Sequence, residues 1–267
     1  HIGVAAAMFE QGHEVDLISG TSAGSMSGAL LARDAKLPTE LMDRALEEFE
    51  AIGNPFVEFG IPLISVLGNK RLSSGMRNVF GNIAIEDSWI PFRVVVTNLS
   101  ESRRVVFDRG PLWHRVLASS SPPGIWAPVD YNGQLLCDGG LVDNLPISVL
   151  LEENCKQRFA SYVGSSVMLP TLQNGVPTSW EFLLDKIFRR KRHTNMPSLL
   201  TTLLQCISIP AATQLQEARK IADVFFEPDL SAFSVTDVGG ARAMFETGYA
   251  HAHSVLDQQK SKLHGTD

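Results

Sequence analysis

Five residues, Gly20-Thr21-Ser22-Ala23-Gly24, constrain this chain more than any others because of what stands on either side of them. An apolar run, Val15-Asp16-Leu17-Ile18-Ser19, leads in, and a small-residue run from Ser25 to Ala32 leads out. Strand, sharp turn and helix in that order are the local plan of a serine nucleophile elbow. Gly20 and Gly24 leave room for the strand and helix backbones to approach, and Thr21 and Ala23 do not crowd the serine. Ser22 then sits at the tip with its hydroxyl exposed. The helix aims its free N–H groups and the positive end of its dipole at the same point, where negative charge develops during acyl transfer.

A chain of 267 residues has enough length for one substantial α/β domain. With 44% apolar and 19% charged residues it reads as an ordinary globular protein. A net charge of −6 argues against a nucleic-acid-binding body. No apolar run approaches the roughly 18 residues that a spanning helix needs, so any membrane contact is expected to be peripheral. Cys137, Cys155 and Cys206 stand at no metal-ligand or redox spacing and read as reduced, buried small hydrophobes in a cytoplasmic setting. The first residue is His1, and Gly3 to Gln11 with Gly12 behind it reads as a short helix with a glycine stop. The chain is therefore expected to start inside an element, with structure upstream.

Downstream, Thr39 to Ile52 carries Leu41, Met42, Ala45, Leu46 and Phe49 on one face and reads as a packing helix. Gly53 to Gly68 is rich in Phe56, Phe59, Ile61, Leu63, Ile64, Val66 and Leu67 and reads as a buried loop or part of an acyl-chain pocket. Phe92 to Leu99 and Arg103 to Phe107 form an expected hairpin, followed by a helix from Leu112 to Ala118 that ends before Pro122-Pro123-Gly124. Alternating strands and helices favour a mostly parallel central sheet covered on both faces. Asp138-Gly139-Gly140 follows the strand-like Gln134-Leu135-Leu136-Cys137. An acid at a strand end lies where open α/β sheets build their sites, although a turn aspartate satisfying nearby N–H groups gives the same pattern. Pro146 after Asp143-Asn144-Leu145 suits the first turn of a helix to about Glu153.

Taken together, Gly20-Thr21-Ser22-Ala23-Gly24, Asp138-Gly139-Gly140, Asn144 with Pro146, Ala118-Ser119 with Pro123-Gly124, and Pro128-Val129 resemble the patatin-like phospholipases, and within them the neuropathy target esterase branch and its bacterial relatives. His1-Ile2-Gly3-Val4 resembles that family's first-helix start, Ala222-Asp223-Val224 with Pro228-Asp229-Leu230 its last strand, and the helix around Gly248-Tyr249 its final one. The resemblance implies a three-layer α/β fold and a single catalytic domain over 1–267. It implies a Ser22–Asp138 dyad in which Ser22 is the nucleophile and Asp138 the general base, with Gly20, Thr21, Ala23, Gly24, Gly139 and Gly140 as motif residues and with no cofactor or metal. The substrates it implies are phospholipid or lysophospholipid esters, met in the cytoplasm or on the cytoplasmic face of a membrane. It also implies cyclic-nucleotide-binding-like domains upstream. The family's glycine-rich oxyanion loop lies between a first strand and the helix that begins near His1, so both are expected to be missing here, and the piece alone is expected to turn over weakly.

Two other readings stand beside this one. Ser22, Asp138 and His251 or His253 occur in the order of an α/β-hydrolase triad, but both histidines fall in the helical stretch Ala241 to Leu256. The other is a non-catalytic lipid- or partner-binding module on the same fold. His13 and His114 read as polar surface or capping groups. Trp180, Leu183, Leu184, Ile187 and Phe188 form a stripe that runs into Arg189-Arg190-Lys191-Arg192. That stretch, 180–193, reads as a packing helix with a solvated basic end or as an interfacial helix for an anionic bilayer.

Overall fold

The fold is that of a computed structural model, which describes residues 1–34, 43–44, 47–48, 58, 64–164, 178, 180, 199–233 and 238–264. Helix α1 (Ile2–Glu10) leads to strand β1 (Ile18–Gly20) and helix α2 (Ala23–Asp34). Helix α3 (Lys70–Phe80) precedes the hairpin β2 (Phe92–Asn98) and β3 (Arg103–Phe107), then helix α4 (Leu112–Ser119). A second hairpin, β4 (Val129–Tyr131) and β5 (Gln134–Asp138), is followed by α5 (Ile147–Glu152) and β6 (Phe159–Ser161). Helix α6 (Leu199–Ile221), β7 (Val224–Phe226) and α7 (Ala241–His264) complete the described chain.

Strand β2 is the organising element. Phe92, Val94 and Val96 alternate onto one face, where they join Ala29 and Leu30 of α2, Met76 of α3 and Leu112 and Val116 of α4 in the largest core cluster. Each large apolar side chain buried there stabilises the fold by about 1.5–3 kcal/mol. Along its edges β2 is shared in an unusual way. Strand β3 pairs antiparallel from Val94 to Asn98. The opposite edge is divided: β1 runs parallel against Phe92 to Val94, and β5 runs antiparallel against Val96 to Asn98. The C-terminal ends of β1 and β5, Gly20 and Asp138, thus meet head-on with only Val95 between their registers.

The α/β class expected from the sequence is the class adopted. Parallel order holds at β1–β2 and at β6–β7, whereas β3 and β4 are joined to their neighbours by short hairpin turns that force antiparallel pairing, and β5 enters antiparallel to β2. The expected elbow strand is shorter than its apolar run, since only Ile18–Gly20 pairs; Val15 and Leu17 are used for packing. The last strand lies at Val224–Phe226, inside the stretch from Ala222 to Leu230 that the resemblance marks, and Asp223 just before it accepts the Arg158 N–H. All three cysteines are free, and the expectation of burial holds in full only for Cys137: Cys155 is half-buried, and Cys206, in α6, is exposed.

Of the helix expected over 39–52, Asp43, Arg44, Glu47 and Glu48 are helical, and the rest lies outside the described residues. Phe56, Phe59, Ile61 and Leu63 of the expected acyl pocket also lie outside them, as does the basic stretch 181–193. Leu67 is buried in the core, Ile64 is exposed, and Trp180 is exposed. Among the described residues no helix is long and apolar enough to cross a membrane.

Candidate active site

Strand β1 ends at Gly20 and α2 begins at Ala23, so the chain reverses over Thr21 and Ser22. That turn puts Ser22 at φ 52°, a left-handed conformation that costs a non-glycine residue on the order of 1–3 kcal/mol and persists only where neighbours hold it. Several do. The Ser22 carbonyl accepts from the Ser25 hydroxyl at 2.7 Å and from the Ser25 and Met26 amides at 2.9 and 3.2 Å. The Ser22 amide donates to Ser119 Oγ at 3.0 Å. Gly20 is required by space: a Cβ there would stand 2.4 Å from the Gly24 carbonyl oxygen and force the elbow open.

Asp138 closes the site from the other strand. It is 1% exposed, its Oδ2 accepts from the Ser22 hydroxyl at 2.7 Å, and its Oδ1 accepts from the Gly140 amide at 2.7 Å. Its backbone is fixed as well, by a bond from its N–H to the Ser121 carbonyl (3.0 Å) and one from the Thr97 hydroxyl to its carbonyl (2.8 Å). Gly139 then passes so close to β2 that a Cβ would come within 2.5 Å of the Val95 carbonyl oxygen. Burial pushes the Asp138 carboxyl up to about 6, against the pull of the Gly140 and Ser22 hydrogen bonds, which favour the ionised form. The same burial, with Asp138 beside it, pushes the Cys137 thiol up to about 12, so Cys137 stays protonated.

An outer layer ties the two loops together. Thr21 donates its hydroxyl proton to the Asp143 carbonyl at 2.8 Å, and the Asp143 carboxylate is held by Arg104 of β3 at 2.8 Å. Gln214 of α6 donates to the Val142 carbonyl and accepts from the Asn144 amide, pinning the segment after Gly140.

Ser22 and Asp138 stand at one end of a cleft of about 710 Å³ between β1 and β6. Strand β6 shows how the cleft is roofed. Ser161 accepts or donates to His1 Nδ1 (2.9 Å) and Phe159 packs in the cluster of α1, while Ala160 points the other way into the cluster of Ile147 and Leu150 of α5. Helices therefore cover the cleft on both faces, and the edges of β1 and β6 that look into it pair with no described strand.

The sequence-derived pair Ser22 and Asp138 is brought into direct contact; the histidines are not. His251 accepts from the Glu227 amide at 3.0 Å and His253 faces Asp257 at 3.0 Å, both on α7. Asp138 is engaged by Ser22 and Gly140, and among the described residues no histidine hydrogen-bonds either member of the pair. The triad arrangement is thereby corrected: α7 uses its histidines to fasten itself to the turn after β7 and to its own next turn. His13 packs edge-on against Phe159, and half-buried His114 lies 3.0 Å from Arg115. Among the described residues no group of three His, Cys, Asp or Glu side chains is placed to hold a metal ion. Sequence reading missed the hydroxyl of Ser119, the Thr97 anchor and the Arg104–Asp143 tie. Three consecutive serines, Ser119-Ser120-Ser121, at a helix end before Pro122-Pro123 were the available signal for the first; the other two had none.

Known proteins resemble this chain over nearly its whole length. The chain is similar to lysophospholipase NTE1 of Kluyveromyces lactis, at 28% identity over 98% of this chain, and of Eremothecium gossypii, at 30% over 98%. It is 27% identical to lysophospholipase NTE1 of Lodderomyces elongisporus, again over 98% of this chain. The chain spans 18–19% of the length of these three relatives. A family model described as patatin-like phospholipase matches residues 1–151, which is more than half of the chain and includes both Ser22 and Asp138. On that match, the chain belongs to the patatin-like phospholipase family.

Proposed function

We propose that the chain is the hydrolytic portion of a phospholipid or lysophospholipid carboxylesterase working through a Ser22–Asp138 dyad. The observation that carries this reading is the 2.7 Å hydrogen bond from the Ser22 hydroxyl to a buried carboxylate, at a helix start and at the end of an open cleft. The lysophospholipase activity named for the relatives supplies the substrate class.

In this mechanism Asp138 takes the Ser22 proton as Oγ attacks the ester carbonyl, and the tetrahedral oxyanion forms beside the Ala23 amide at the start of α2, the next three amides being bonded to the Thr21 and Ser22 carbonyls. The same proton passes to the departing alcohol, leaving an acyl-enzyme on Ser22. Water, deprotonated by Asp138, then attacks the acyl group and restores the serine. A carboxyl held at about 6 is a stronger base than a free one at about 3.9, and it is still ionised at neutral pH. The unpaired edges of β1 and β6 support a second part of the reading. A parallel strand supplied by residues before His1 fits the cleft, and the loop joining it to α1 would pass the His1 ring, which lies beside Gly24, and bring further N–H donors to Ser22.

The direct test is reaction with a fluorophosphonate ester, followed by peptide mapping. The adduct is expected on Ser22, with the label absent from Ser22→Ala. A form extended upstream of His1 that stays unlabelled while folded would sink the proposal.

Asp138 also ties activity to pH in a definite direction. Hydrolysis needs the carboxylate, so kcat/KM is expected to rise with unit slope as pH climbs through about 6 and then level off. Stability runs the opposite way. The folded state holds the Asp138 proton more tightly than the unfolded chain, whose carboxyl titrates near 3.9. The contribution is therefore full below about 4 and is lost as pH rises through about 6. Asp138→Asn removes that loss, because an amide can accept from Gly140 and donate to Ser22 Oγ. It is expected to be more stable than the parent by on the order of 2–3 kcal/mol at pH 8 and equal to it at pH 4. Paired thermal melts at the two pH values check this, and a variant less stable than the parent at pH 8 would contradict it.

A further inference from the structure

We propose that Ser119 is the positioning residue of the nucleophile, setting where Ser22 Oγ lies relative to Asp138. The inference rests on the dyad reading above, and adds to it a residue that touches neither reacting atom.

Ser119 is the last residue of α4 and is fully buried. Its hydroxyl donates to the Val95 carbonyl at 2.7 Å. A carbonyl only accepts, so the single Ser119 proton is committed there, and toward Ser22 the oxygen must act as acceptor. It does so, receiving the Ser22 amide at 3.0 Å. One hydroxyl therefore joins the elbow to Val95, and Val95 is the β2 residue left between the registers of β1 and β5. The nucleophile strand and the aspartate strand are both indexed to the point that Ser119 grips.

The need for this grip follows from the Ser22 backbone. Its carbonyl is secured by Ser25 and Met26 of its own helix, so loss of any one bond leaves others. Its amide has Ser119 as its partner, and at φ 52° the peptide between Thr21 and Ser22 has no intrinsic preference for the orientation it adopts. Without the Ser119 oxygen that peptide can rotate, and the side chain it carries moves off the Asp138 carboxylate. Displacements of about 1 Å in a catalytic group cost rates on the order of 10².

The experiment compares the parent with Ser119→Ala and Ser119→Thr in the form that hydrolyses a nitrophenyl ester, and follows hydrogen exchange at the Ser22 amide in the same proteins. Ser119→Ala is expected to lower kcat and the fluorophosphonate labelling rate by about 10- to 100-fold with KM within about twofold, and to speed Ser22 amide exchange by at least about tenfold. Ser119→Thr, which keeps the hydroxyl, is expected to recover most of both. A folded Ser119→Ala with parental kcat overturns the inference, as does one whose loss lies in KM. If Ser119→Ala does not fold, Ser119→Cys, of similar size but a poor acceptor, is held to the same thresholds. Should the parent itself fail to react with the fluorophosphonate, the dyad reading falls. The exchange measurement then judges the Ser119 grip alone, and unchanged exchange in the variant overturns it too.

Discussion

Ser22→Ala and Asp138→Asn are each expected to lower ester hydrolysis by at least about 10³-fold in a form extended upstream of His1, with the double variant little worse than either single one. The size follows from their joint action: Ser22 is a poor nucleophile while its proton stays on, and Asp138 has no other role that survives loss of the serine. The two variants are expected to differ in stability, since only the second relieves a buried charge. His251→Ala and His253→Ala are expected to keep most of the activity, because these side chains of α7 are engaged by the Glu227 amide after β7 and by Asp257. Steady-state kinetics on a nitrophenyl ester, with circular dichroism to confirm folding, decides the matter. Near-complete loss on replacing either histidine would favour a Ser–Asp–His mechanism.

Adding the residues upstream of His1 is expected to raise turnover by about 10²–10³-fold over the chain alone. Each well-placed oxyanion donor is worth about that much, and a loop beside Ser22 would bring at least one. The helix start at Ala23 already provides some stabilisation, so the chain alone is expected to retain slow acylation by reactive esters. The comparison uses one soluble short-chain ester and equal concentrations of folded protein. Equal rates in the two forms would show that the donors come from elsewhere and that the cleft between β1 and β6 takes something other than a strand.

The elbow was legible in the sequence because its requirement is steric and local. Gly20 faces the Gly24 carbonyl, and only a residue without a side chain fits there. Asp138-Gly139-Gly140 was legible as a strand end for the same reason, with Gly139 against Val95. The meeting of the two was not legible from pattern. It depends on β1 and β5 dividing one edge of β2, and strand register is a property of the whole sheet. Resemblance supplied that pairing where periodicity could not. Val15 and Leu17 illustrate the opposite error: their hydrophobicity signals burial, which the chain meets by packing rather than by hydrogen-bonded pairing. Ser119 was marked by the resemblance, but its role was not legible, because a buried serine looks like any helix-end serine until the orientation of its proton is known.

The open edges of β1 and β6 have a bearing on how this polypeptide behaves at high concentration. Exposed strand edges are the usual template for runaway association, and proteins commonly blunt them with charges, prolines or bulges. Here Ile18-Ser19-Gly20 and Phe159-Ala160-Ser161 carry none of these guards. They are shielded by location, facing one another beneath α1 and above α5, where a flat sheet from a neighbouring molecule has no approach. The α1–α7 contact that keeps α1 in place therefore also guards these edges, and fraying at the first helix is expected to open them to a neighbouring chain.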